Sequence, residues 1–165
     1  MILSSADPAS RILSLEDAVR WRHSLREMNC PLVVTNGCFD LLHRGHATYL
    51  AAAGECGDAL LVLVNSDASV RALKGPTRPV VDEYSRAFLL ASLRAVDAAV
   101  IFDGSRCDRE LAVLKPDVYV KAGDYTLETL NPEERAALEA AGTEIVFMPF
   151  VAGFSTTGTL KKILG

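Results

Sequence analysis

No apolar stretch in this sequence approaches the ~20 residues that a membrane-spanning helix requires, so no membrane span is expected. The first ten residues are polar and include Asp7 and Pro8, which is unlike a secretory leader and makes a cytoplasmic location the expectation. An excess of positive charge is also missing. The chain carries 17 Lys and Arg against 21 Asp and Glu, a net charge of −4, with its basic residues scattered and no basic-aromatic stripe. That excludes the usual nucleic-acid footprint and means that an anionic ligand must be gripped by a local set of donors. Four cysteines occur without any Cys-x-x-Cys spacing, which reads as reduced structural thiols. The chain has no complete Gly-x-Gly-x-x-Gly and no Gly-x-x-x-x-Gly-Lys-Ser/Thr. A nicotinamide-type dinucleotide site and a P-loop are therefore both unsupported. Histidine is scarce, with only three in the chain.

A single domain fits the length of 165 residues, and half of these are hydrophobic, enough for a substantial core. Ser14-Leu15-Glu16-Asp17 is a capping-box signature, followed at helical spacing by Ala18, Trp21, Leu25 and Met28. The expectation is an N-terminal arm and helix over residues 1–30, packed on a domain of residues 31–165. Continuously apolar, strand-like runs occupy 32–35, 59–65, 98–102, 118–121 and 144–149. Helical patterns separate them at 45–53, 66–73, 84–93, 109–114 and 132–141, and a last one closes the chain at 157–164. Strict alternation with fully apolar strands predicts a doubly wound α/β domain with a parallel five-stranded sheet.

The densest information lies in Thr35-Asn36-Gly37-Cys38-Phe39-Asp40-Leu41-Leu42-His43-Arg44-Gly45-His46. A strand that stops at a glycine turn and restarts as a helix is where α/β sheets bind phosphate. Gly37 is read as the turn residue, supplying unusual backbone angles and room for a nucleotide. His43 and His46 fall on one helix face, and Gly45 between them lets a bulky anion approach the backbone. Cys38 with these two histidines lacks both a fourth ligand and the spacing of a metal site. Ser155-Thr156-Thr157 precedes the closing helix, so it combines an N-cap with free N–H groups aimed at any anion above them.

The His-x-Gly-His run resembles the nucleotidylyltransferase superfamily, which joins a nucleoside triphosphate to a phosphorylated partner and releases pyrophosphate. Val64-Asn65-Ser66-Asp67, Leu73-Lys74-Gly75 with Arg78-Pro79-Val80, Val120-Lys121-Ala122-Gly123-Asp124-Tyr125 and Ser155-Thr156-Thr157 narrow the match. In that order they resemble the D-glycero-β-D-manno-heptose 1-phosphate adenylyltransferases, which make ADP-heptose for lipopolysaccharide core. The resemblance implies a Rossmann-like fold and a homodimer or higher oligomer. Its substrates would be ATP and a sugar 1-phosphate, with Mg2+ arriving on the ATP phosphates rather than in a protein cage. It implies catalytic roles for His43, His46 and Lys74. Asn36, Gly37, Cys38, Phe39, Gly45, Lys121, Gly123, Ser155 and Thr156 would bind nucleotide or phosphate, and Asp40, Arg86 and Asp124 the substrate. For Arg86 a structural salt bridge is the alternative reading. A sugar 1-phosphate has a second pKa near ~6, so its attacking oxygen is already ionised and the histidines need only donate hydrogen bonds.

Departures gather on the side expected to face the sugar. Ala122 replaces a glycine of the usual Lys-Gly-Gly-Asp-Tyr, the segment from Thr126 to Pro132 lacks an expected glycine, and Cys107 stands where proline is common. A ribokinase-like domain often fused to this activity does not occur in these residues, which would leave the sugar 1-phosphate to a separate kinase. A sibling enzyme such as glycerol 3-phosphate cytidylyltransferase is the alternative. That branch usually carries Arg-Thr-x-Gly-Ile-Ser-Thr-Thr where this chain has Val151-Ala152-Gly153-Phe154-Ser155-Thr156-Thr157.

Overall fold

Ser14 opens the first helix, α1 (Leu15–Glu27), by accepting the Asp17 N–H at 3.0 Å and donating its own hydroxyl to the Asp17 carboxylate at 2.7 Å. The computed structural model describes residues 7–123, 125–149 and 153–164. Ala18, Trp21 and Leu25 on α1 enter the core, as their spacing requires. Arg22 is buried beside them, its guanidinium bonded to the Leu114 and Lys115 carbonyls and paired with Asp117. Asp117 also accepts the Leu32 N–H at 2.7 Å. One carboxylate thus ties α1 to the starts of two strands.

The sheet has six strands, all parallel: β1 (Ile12–Leu13), β2 (Leu32–Gly37), β3 (Ala59–Asn65), β4 (Ala98–Phe102), β5 (Val118–Ala122) and β6 (Glu144–Met148). The expected count of five is corrected by β1, which pairs Ile12 with Ala99 and Leu13 with Val100 on the far edge. Two residues are too few to carry a periodic signal, so β1 has no signature in the sequence. The remaining five strands, the helices between them and the closing helix fall where the alternation predicts them. These helices are α2 (Arg44–Gly54), α3 (Asp67–Lys74), α4 (Glu83–Ala91), α5 (Asp108–Leu114), α6 (Pro132–Ala141) and α7 (Thr156–Leu164).

Every residue of β3 is buried, because the sheet is covered on both faces. Leu61 and Leu63 point toward α1, α5 and α6, packing with Trp21, Leu111 and Leu138. Leu60, Val62 and Val64 point the other way, into a second core with Leu50 of α2 and Leu90 of α4. Strand order is β1-β4-β3-β2-β5-β6. From β2 the chain winds outward through β3 and β4, then returns to β5 and β6 on the opposite side. The reversal leaves a crevice between the carboxyl ends of β2 and β5, where open α/β sheets bind ligands. Among the described residues no helix is long and apolar enough to cross a membrane.

Candidate active site

A cavity of about 1070 Å³ opens at that crevice. Its floor is the loop after β2. Gly37 ends β2 without a left-handed backbone, so its contribution is space rather than the unusual angle expected. A Cβ there would stand 2.9 Å from the Phe39 ring. The left-handed turn falls on Phe39 itself, at φ 47°, a conformation costly for a bulky side chain. That turn places the Phe39 ring edge-on to His46, with 5.2 Å between ring centroids.

His43 is the N-cap of α2, and its Nδ1 accepts the His46 N–H at 3.3 Å. With Nδ1 an acceptor, the neutral ring carries its proton on Nε2. The two imidazoles stack, centroids 3.8 Å apart and planes 13° from parallel. Burial first, and then the charge of His43, lowers His46 from 6.5 to about 4, so its ring is neutral near pH 7. Its Nδ1 is buried and makes no hydrogen bond.

This shift has a sign. Between about 4 and 6.5 an unfolded His46 holds a proton that the folded one does not, so stability rises with pH across that window. The contribution is complete above 6.5 and disappears as the pH falls to about 4. Urea midpoints measured from pH 7 to pH 4 are expected to fall in wild type and to fall less in His46→Gln.

Across the cavity, Ser155 caps α7 by accepting the Gly158 N–H at 3.0 Å. Its hydroxyl is thereby engaged, and Thr156 and Thr157 present first-turn N–H groups at the cavity wall. Phe154 joins the two helix starts, with the Arg44 guanidinium 5.5 Å from its ring centroid. Gly45 is needed at this junction, since a Cβ on it would meet the Phe154 Cβ at 2.9 Å and His43 Nδ1 at 3.0 Å. Gly45→Ala must force the two helix starts apart, at about 1–3 kcal/mol. Triphosphate affinity measured by calorimetry is expected to fall ~10-fold or more.

Cations close the ends. Lys74, the last residue of α3, is exposed on the rim, and Lys121 of β5 lies deeper. Arg78, Asn65 and Glu134 also line the wall. The resemblance quotes Arg78 and Asn65 within motifs but gives them no role, and Glu134 is one charge among several on an amphipathic helix, with nothing in its spacing to mark it.

Three expected residues stand differently. Asp40 is on the wall but only 3% exposed. Its carboxylate accepts the Val80 N–H at 2.7 Å, the Val81 N–H at 3.0 Å and the Arg78 Nε–H. Burial alone would raise its pKa, but those three bonds outweigh it and hold the carboxyl below its ordinary value. Asp40 therefore anchors the segment after α3 instead of offering a free carboxylate. Arg86, expected at the substrate, is corrected to a structural residue: 1% exposed, it bonds the Val81 and Cys38 carbonyls and Asp67, and does not line the cavity. Its alternative reading as an ion pair holds, with Asp67 Oδ1 at 2.8 Å. Gly123 turns the chain at φ 122° behind the wall, which Ala122 lines in its place. Asp124 lies outside the described residues. Cys38 sits beside Asn65, with Sγ 3.8 Å from Oδ1, and burial raises its thiol pKa, which disfavours a thiolate ligand.

A stacked histidine pair and an opposed helix start thus share one crevice at the switch point of a parallel sheet. The chain belongs to the cytidylyltransferase-like family, whose pattern matches residues 34–157. It is 41% identical to the bifunctional protein HldE of Syntrophotalea carbinolica, across 94% of this chain and 33% of that protein. To the HldE of Helicobacter pylori strain G27 it is 45% identical, across 99% of this chain and 33% of the relative. The chain thus spans about a third of the length of these curated relatives. The crystal structure of the lipopolysaccharide core biosynthesis protein from Thermoplasma volcanium superposes with a TM-score of 0.60 at 27% identity, covering 74% of this chain and 97% of that one.

Proposed function

We propose that this chain is an adenylyltransferase that condenses D-glycero-β-D-manno-heptose 1-phosphate with MgATP, giving ADP-heptose and pyrophosphate for lipopolysaccharide core synthesis. The observation that carries it is the stacked pair His43 and His46 facing the start of α7 across one cavity that also holds Lys74 and Lys121. Similarity to HldE proteins and to a lipopolysaccharide core biosynthesis protein supports a place in lipopolysaccharide core synthesis.

In this reading a phosphate oxygen of the sugar 1-phosphate attacks the α-phosphorus in line. A new P–O bond forms there as the bond to the bridging oxygen breaks, and the electron pair leaves with pyrophosphate. The attacking oxygen is already ionised near pH 7, so no general base is required. The difficulty is the approach of two anions and the charge gathering on the leaving group. Lys74 offsets the first, and the Nε2–H of His43 with an N–H of His46 stabilises the second. The first-turn amides of α7 hold the triphosphate from the other side. Magnesium would arrive as part of the nucleotide complex and would supply charge neutralisation on the phosphates.

The test is pyrophosphate release with ATP and with CTP against a panel of sugar 1-phosphates and glycerol 3-phosphate. Turnover restricted to ATP with heptose 1-phosphate supports the proposal. Turnover with CTP and glycerol 3-phosphate would assign the chain to the sibling activity, and silence with every pair would refute nucleotidyl transfer.

A further inference from the structure

Glu134 is a carboxylate only 4% exposed, on the first turn of α6 where the helix meets the cavity wall. A helix start favours an acidic residue, but it does not require burying one, and a buried charge persists only where partners hold it. Two groups do. Oε1 accepts the Cys107 N–H at 3.1 Å and the Cys107 thiol at 3.4 Å. Oε2 lies 3.8 Å from the Lys121 ammonium.

Lys121 passes the constraint on. Its ammonium donates to Asn36 Oδ1 at 2.9 Å and to the Tyr119 hydroxyl at 3.2 Å, while that hydroxyl donates to the same Asn36 oxygen at 2.7 Å. Asn36 Oδ1 is thus saturated, which fixes the amide's orientation and leaves its nitrogen as the group offered at the cavity wall. Asn36 is the last residue but one of β2, and Lys121 belongs to β5, so the two donors flank the crevice at the switch point.

We propose that Glu134 is a positioning residue: anchored by Cys107, it holds Lys121 against Asn36 so that ammonium and amide together meet one anionic oxygen of the substrate. This rests on the cavity binding a polyphosphate, as the functional reading requires. The competing explanation is purely structural, with Glu134 serving only to join α5 to α6 through Cys107. The two differ in whether the effect of Glu134 runs through Lys121.

A double-mutant cycle separates them. Glu134→Gln keeps an acceptor for the Cys107 N–H and removes the charge facing Lys121. Affinity for a non-hydrolysable MgATP analogue by calorimetry, and kcat/KM by pyrophosphate release, are measured for wild type, Glu134→Gln, Lys121→Met and the double variant, each with its melting temperature. The positioning role requires a ~10-fold loss on Glu134→Gln in the wild-type background and no further loss in Lys121→Met. An equal loss in both backgrounds, or none in wild type, overturns it. Should Glu134→Gln not fold, Glu134→Asp, which withdraws the carboxylate by one methylene, enters the same cycle with the same two outcomes. A wild type that binds the analogue but shows no turnover would refute the transferase reading and leave the cycle readable on affinity.

Discussion

His46→Ala is expected to lower kcat by ~10²- to 10³-fold, the usual cost of removing one preorganised donor from a transition-state site. The argument begins with packing. His46 lies between His43, stacked at 3.8 Å, and the edge of Phe39 at 5.2 Å, so its ring cannot swing away from the cavity. Burial keeps it neutral, lowered to about 4, and in the proposed function it would meet the triphosphate as an N–H donor whose strength grows with charge on the phosphate. Alanine removes that donor together with half of the stack. His43 would keep its cap position but lose the neighbour that orients it. The loss should fall on kcat more than on KM, because the leaving pyrophosphate gains charge only as the bond breaks. Steady-state kinetics with a melting curve on each variant provide the check. A variant that folds, binds ATP and retains near wild-type kcat would contradict the role assigned to His46.

Arg86→Met should have the largest effect on stability, about 3–5 kcal/mol, the cost of breaking a buried ion pair by removing one partner. The guanidinium satisfies the Val81 carbonyl at 2.9 Å, the Cys38 carbonyl at 2.6 Å and Asp67 Oδ1 at 2.8 Å. Methionine fills comparable volume but serves none of them. For a chain of this size the melting temperature should drop by roughly 10 °C. Activity should fall as well, since Cys38 belongs to the loop that carries the histidines and Val81 to the segment that Asp40 anchors. Lysine should rescue little, because one ammonium cannot reach three acceptors arranged around a planar fork. Differential scanning calorimetry decides this. A melting temperature within a degree or two of wild type would show that Arg86 is not the tie described here.

How much of this was readable in the sequence follows from what each residue's neighbours can reveal. The strands beneath the site were legible because a parallel strand covered on both faces must be apolar throughout, and β3 is. Ser66 and Asp82, the caps of α3 and α4, emerge from the structure, but Ser14 lies one residue before α1 and caps it, so that start was legible as well. The short edge strand β1 was not, since its pairing depends on β4, over eighty residues away. Local signals, a glycine turn and a capping hydroxyl, marked the starts of α2 and α7 as two anion-type helix starts, and it is the fold that brings both to one cavity. Arg86 and Asp40 were harder. The family resemblance implied substrate contacts for both, whereas three-dimensional partners consume their hydrogen bonds. Gly37 had the right residue for a different reason, because the ring that needs its missing Cβ belongs to Phe39. Glu134 and Cys107 come together only through the packing of α5 on α6, which no local pattern encodes.

The central claim is that two stacked imidazoles and the opposed start of α7 form one triphosphate cradle. A crystal structure with a non-hydrolysable MgATP analogue tests it most directly. The account requires phosphate density within hydrogen-bonding distance of His43 or His46 and of the Thr156 or Thr157 amide. Well-ordered ligand density elsewhere on the protein, with both imidazoles untouched, would contradict it.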